Sequence, residues 1–262
     1  MIILEVRIVD EIIMSLFWGI FGLIIGSFLN VVIYRVPRGE SIVKPGSHCT
    51  QCNHALKAWE LVPVLSFIAL RGQCHSCGTK ISWRYPGVEL LTGLLFFLWA
   101  WRNPAEPLPV LGLHFILLAV LLALALIDWD TMRLPDVLTL PLLTIGIGSS
   151  FFLPMGLSGG ESLASAIGAG GAFWLIAKIY PQGMGLGDVK LIAGMGAFLG
   201  FPNILLALFI ASLIGSIIGL LWMVIRGREF RAQIPFGPFL VLGAYATLFG
   251  GDCLIQAYLT LF

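Results

Sequence analysis

Charge is scarce in this chain. Its 262 residues include 15 Lys or Arg and 14 Asp or Glu, 11% in all, where a soluble domain carries about a quarter. The formal net charge is +1, so there is no whole-protein attraction to nucleic acid and no such partner is expected. A basic leader before the first apolar run is missing as well: Glu5, Asp10 and Glu11 stand against Arg7 alone, so that run reads as a retained span and not a cleaved signal. Cysteine is sparse, with four of five in two Cys-x-x-Cys pairs, a pattern of metal binding on a reducing, cytoplasmic face and not of a disulfide scaffold. No internal repeat or low-complexity tract stands out.

What remains is hydrocarbon. Hydrophobic residues make up 58% of the chain and mean hydropathy is +0.97, which marks an integral membrane protein. A span needs about 20 mainly apolar residues. Helices are expected near 12–34, 88–102, 109–127, 137–155, 163–180, 189–202, 204–225 and 236–260, an all-α polytopic fold. Phe201-Pro202-Asn203 is the sole turn signal between two of these runs, so a seven-span alternative stays open. Three parts follow: residues 1–35 as the first span, 36–87 as a soluble loop, and 88–262 as the other seven spans. Gly22 with Gly26, Gly196 with Gly200, and Gly215 with Gly219 have the spacing at which helices approach closely in lipid.

Short cytoplasmic loops collect Lys and Arg. With both termini on the periplasmic side, Arg35, Arg38, Lys44, Lys57, Arg71, Lys80, Arg84, Arg133, Lys178, Lys190, Arg226, Arg228 and Arg231 all fall inside, and only Arg7 and Arg102 outside. The mirror topology reverses that ratio. The chosen orientation puts the cysteine loop, Asp128 to Asp136 and Asp188 together on the cytoplasmic face.

In the soluble loop, 21 residues separate Cys49-x-x-Cys52 from Cys74-x-x-Cys77. Two such turns present four thiolates to one ion, which predicts a closed, zinc-ribbon-like structural site holding one zinc with no position left for substrate. His48, His54 and His75 flank the cysteines as possible replacement ligands, though solvated loop positions are expected for them. His114 and Cys253 lie in apolar segments and are expected to pack.

The acids carry the chemistry. A carboxylate beside hydrocarbon usually implies a partner, a wet cavity or a functional task. Two carboxylates in reach of each other share a proton, so one acts as base on a water while the other polarises a peptide carbonyl. Asp188 is one candidate. Gly183, Gly185 and Gly187 before it are expected to let the backbone turn tightly and an extended substrate approach. In the first cluster Asp128 ends the apolar run and is chosen as its partner, with Asp130 as the alternative; Asp136 follows Pro135 and is expected to cap a helix.

Several segments together resemble one family. Gly26-Ser27-Phe28-Leu29-Asn30-Val31-Val32-Ile33-Tyr34-Arg35-Val36-Pro37, the doubled Cys-x-x-Cys, Ile127-Asp128-x-Asp130 running to Leu134-Pro135-Asp136, Gly183-Met184-Gly185-x-Gly187-Asp188-x-Lys190-Leu191 and Phe236-Gly237-Pro238-Phe239 are similar to the bacterial type IV prepilin peptidases, the leader peptidase/N-methyltransferases. The resemblance implies an eight-span inner-membrane aspartic endopeptidase. It would remove the basic leaders of prepilins and type II secretion pseudopilins after Gly, at the cytoplasmic face, then methylate the new N-terminus with S-adenosylmethionine. It carries Asp128 and Asp188 over as the catalytic pair and Cys49, Cys52, Cys74 and Cys77 as zinc ligands; Gly183, Gly185, Gly187 and Lys190 are expected to form the loop that meets substrate. No Gly-rich nucleotide motif after a strand is present, so a methyl-donor pocket must come from the first helix, the cysteine loop and nearby helices, with 26–37 and Glu40 as candidates.

A proton-coupled transporter is the alternative from another class. It predicts acids near the bilayer midplane and repeated halves, whereas these acids fall at span ends and no repeat is visible.

Overall fold

The computed structural model describes residues 2–181, 183–226 and 234–260; Arg228 and Arg231 of the basic count lie outside them. Among the described residues the regular structure is helical. The order is α1 (Ile2–Arg35), a short α2 (Leu65–Ala69), α3 (Arg84–Arg102), α4 (Leu108–Thr131), α5 (Asp136–Phe152), α6 (Gly159–Ile179), α7 (Leu186–Leu199), α8 (Asn203–Arg226) and α9 (Gly237–Leu259). A helix occupies each of the eight expected segments. Four stretches, Val9–Arg38, Leu108–Thr131, Gly159–Ile179 and Asn203–Ile225, are long and apolar enough to cross a membrane. At 1.5 Å per residue the 14 residues of α7 reach only about 21 Å, and Leu191, Ile192 and Met195 on it are fully buried, as in a core helix.

The chain forms two compact units, Met1–Ala119 and Val120–Phe262. In the first, α1 packs on α3 through the expected glycines. A Cβ on Gly22 would meet Thr92 O at 2.8 Å, and one on Gly26 would meet Glu89 Cα at 2.7 Å. Behind this seam Phe96 stacks on Phe115 at 4.1 Å. His114 does more than pack: it lies against the Trp99 ring, and its Nδ1 is 2.9 Å from Glu106 Oε1.

In the second unit α7 packs against α5 and α6, and α8 against α9. Gly196 presses on Ser165 O at 2.9 Å, but its expected partner Gly200 serves differently, ending α7 with φ at 67°. Gly219 faces open space, so the Gly215/Gly219 pair is not a packing motif. A further contact that leaves no room for a side chain is Gly243 against the Ala207 backbone, which no spacing rule marked. Cys253 is exposed on α9 where packing was expected.

α4 runs one turn beyond the predicted end at 127. Its last carbonyls find partners: Thr131 Oγ1 donates to Ile127 O at 2.8 Å and Met132 N to Asp128 O at 2.8 Å. Met132 takes the left-handed φ of 53° that a terminating glycine usually supplies. That reversal carries the chain into Leu134-Pro135 and α5.

Candidate active site

Because α4 continues through residue 131, Asp128 and Asp130 point to different sides, as i and i+2 must. Asp128 is 5% exposed, whereas Asp130 is exposed. A buried carboxylate at a helix C-terminus faces the negative end of the macrodipole. Its compensation comes from another helix: the backbone N–H of Gly237, the first residue of α9, donates to Asp128 Oδ2 at 2.9 Å. A Cβ at 237 would lie 2.7 Å from that oxygen, so a side chain there must displace the carboxylate or the helix. Sequence reasoning missed this role; the Gly-Pro step opening an apolar run was the available signal.

Asp188 sits in the first turn of α7, half-buried, at the positive end of that helix. Leu134, just beyond α4, packs against Gly187 beside Asp188, so the two acidic segments, distant in sequence, meet at one end of this unit. The helix starts of α7 and α9 thus each meet one of the two carboxylates.

The glycines before Asp188 act by closeness and not by unusual dihedrals. The chain turns tightly here, with Gly183 N donating to Tyr180 O at 3.0 Å and Asp188 N to Gly185 O at 3.2 Å, but none of the three glycines takes a positive φ. A Cβ on Gly187 would meet Leu134 Cβ at 2.9 Å, and one on Gly185 would meet Asp188 Oδ2 at 3.3 Å. Asp136 is likewise no cap: Pro135 holds the N-cap position without a side-chain bond. Asp136 instead takes Lys190 Nζ at 2.6 and 2.8 Å, which ties the start of α5 to α7 just beyond Asp188.

In the first unit the two cysteine pairs form matching turns. Cys49 N bonds His54 O at 2.9 Å and Cys74 N bonds Thr79 O at 2.8 Å, with Asn53 and Gly78 left-handed after the second cysteine of each pair. The four Sγ atoms lie within 4.8 Å of one another. Cys49 to Cys77 is 3.9 Å and Cys52 to Cys74 is 4.0 Å, close to the roughly 3.8 Å edge of a tetrahedron with 2.3 Å metal–sulfur bonds. The donor set fits one structural metal ion. Hydrogen bonding from Thr79 pulls the Cys77 thiol down to about 6, and the Cys52 backbone N–H lowers Cys49. At Cys52 the His54 backbone donor favours the thiolate, but burial and the neighbouring sulfurs outweigh it and hold the thiol at about 11. Metal binds thiolates, so uptake at neutral pH must expel protons. Expected is one metal per chain by elemental analysis, lost in Cys49→Ser, with metal-free protein acidifying weakly buffered solution as it is loaded.

The flanking histidines are not ligands. His48 bonds Gly46 O at 3.0 Å, His75 meets the Trp59 ring, and His54, expected to be solvated, is half-buried against Glu60 at 3.3 Å.

Beside the cysteines the first unit holds a partly open cavity of about 760 Å³. Ser27, Asn30, Tyr34 and Arg35 of α1 and Glu40 line it, as do Cys49 and Cys74, while Gly26 and Pro37 do not. Gly26 acts from behind, by letting α1 reach Glu89, a further buried wall residue. Arg35 is buried and donates to the carbonyls of Ser41 (3.0 Å), Pro45 (2.7 Å) and Gly46 (3.3 Å), which fixes the loop over the cavity.

Residues 20–103 match the bacterial peptidase A24 N-terminal domain and residues 115–220 match the type IV leader peptidase family. A prepilin leader peptidase/N-methyltransferase of Neisseria gonorrhoeae is 38% identical over 271 residues, 91% of each chain. Proteins of the same name from Pseudomonas putida and Legionella pneumophila are each 36% identical, covering 89% and 94% of both chains respectively. No solved structure matches.

Proposed function

Since the chain belongs to the type IV leader peptidase family, we propose that it removes the leaders of prepilins and pseudopilins with Asp128 and Asp188 and then methylates the new N-terminus. The observation that carries the peptidase reading is the buried Asp128, held by the first N–H of α9 and followed by Leu134, which packs on the glycine beside Asp188. Coupled carboxylates share one proton. The charged member takes a proton from water as it attacks the scissile carbonyl, and the protonated member donates to the carbonyl oxygen. Asp128 is preferred over the exposed Asp130, which has no such burial. Gly183, Gly185 and Gly187 leave the backbone before Asp188 bare, so an extended peptide can lie against it. Lys190, paired with Asp136, holds this loop to α5. The relatives' names give the transporter alternative no support.

The topology set by the basic residues places the reaction at the cytoplasmic face of the inner membrane, with eight crossings and both termini periplasmic. Residues 36–87 then form the cytoplasmic zinc-binding part, and 88–262 the seven-helix peptidase part. Zinc fits the four thiolates and serves structure, since no ligand position is left for substrate.

The cavity of the first unit is the methyl-donor site. It is large enough for an adenosyl amino acid, and its walls carry both acidic and basic groups. S-adenosylmethionine supplies the methyl group when bound. The chain's part is to hold the donor and keep water out. Arg35 closes the roof by its three carbonyl contacts, so Arg35→Ala should weaken donor binding about tenfold or more through a loosened loop. S-adenosylhomocysteine titration of the detergent-solubilised protein measures this. The whole proposal is tested by mass spectrometry of a prepilin incubated with the purified protein and S-adenosylmethionine. Loss of the leader and gain of one methyl are expected, and an unprocessed prepilin counts against it.

A further inference from the structure

The cavity has one acceptor with nothing to accept. Glu60 lies in the short 3-10 turn Ala58–Leu61 and lines the cavity, with its side chain only 1% exposed. Its Oε2 is occupied: Lys57 N donates to it at 2.8 Å and His54 Nε2 lies 3.3 Å away. Its Oε1 is buried and has no hydrogen-bond partner among the described residues. A buried acceptor left unpaired costs about 1–3 kcal/mol, and more when it is charged. Arg35, a buried donor of the same cavity wall, is committed to Ser41, Pro45 and Gly46. Glu89, the other buried carboxylate of the wall, differs, since its Oε2 accepts from Val64 N at 2.8 Å and it also bonds the Ser27 side chain.

We propose that Glu60 Oε1 receives the α-ammonium group of the methyl donor. This rests on the cavity being the methyl-donor site, as read above. The donor offers hydroxyls on its ribose, an ammonium on its amino-acid end and a sulfonium without any N–H. A charge-assisted hydrogen bond is about twice as strong as a neutral one and shorter, so the ammonium is the group that best offsets a desolvated carboxylate. Anchoring that end through Glu60 leaves the sulfonium unrestrained by hydrogen bonds and turned toward the rest of the cavity. Glu60 is therefore a binding residue.

Titration calorimetry on the full chain in detergent, with S-adenosylhomocysteine and with 5′-methylthioadenosine, tests the assignment, because the second ligand lacks the amino-acid end. Wild-type protein should bind S-adenosylhomocysteine at least about tenfold more tightly than 5′-methylthioadenosine, a comparison that needs no variant. Glu60→Gln should erase most of that preference while binding 5′-methylthioadenosine as wild type does. Equal weakening of both ligands would assign Oε1 to the ribose, and a preference lost in Glu89→Gln but kept in Glu60→Gln would move the ammonium to the other wall; either overturns the proposal. Wild-type protein that binds neither ligand would overturn the reading of the cavity, a result distinct from wild-type binding that Glu60→Gln leaves unchanged.

Discussion

Asp128→Asn and Asp188→Asn each lower leader removal by about a thousandfold or more, within the range general acid–base groups contribute. Asparagine keeps the size of the side chain, and its carbonyl can still accept the Gly237 N–H, so the helices around the site should stay in place. What disappears is the proton the pair shares. For that reason the double variant should be little worse than either single one, as groups that act as a unit are not additive. Asp130→Asn should retain cleavage of wild-type order. Initial rates on a purified prepilin, followed by gel or mass spectrometry, decide the matter. Unimpaired cleavage by both Asp128→Asn and Asp188→Asn would sink the assignment.

Gly237→Ala should lower cleavage about a hundredfold with no change in any titratable group. The added Cβ would stand 2.7 Å from Asp128 Oδ2, closer than real Cβ atoms come to a neighbour, and 3.1 Å from its Cβ and Cγ, tighter than most such contacts. Either Asp128 leaves its donor or α9 shifts, and a displacement of about 1 Å at a reacting group can cost 10²-fold. Gly219→Ala on α8 is the matched control, because its Cβ meets open space. Thermal unfolding in detergent separates the two variants' effects on folding from their effects on rate. A Gly237→Ala enzyme with wild-type kcat would show that Asp128 does not need the α9 donor.

The fold was legible because lipid imposes a coarse rule, and all eight apolar segments became helices. The cysteine cluster was legible too, since two Cys-x-x-Cys turns can converge on one ion whatever lies between them. Contacts between distant segments were not. Nothing near Asp128 in sequence announces that Gly237 donates to it, and the Asp136–Lys190 pair replaces a local cap that residue type alone favoured. The glycines before Asp188 show where spacing falls short: a turn at Gly183 could be expected, but not that Leu134 would press on Gly187. Glu60 escaped notice because a lone acid in a loop looks like any solvated charge until its burial is seen.

The division of the chain at Ala119 and Val120 bears on how such a protein can change over generations. Every wall of the cavity belongs to the first unit, while Asp128, Asp188 and Gly237 belong to the second. If the two sites act as proposed, selection can relax on one chemistry without touching the residues of the other. A lineage that no longer needs methylated pilins can shed the cysteine loop and still keep the groups that cut the leader, whereas loss of the α9 donor would spare methyl-donor binding and leave it without a substrate.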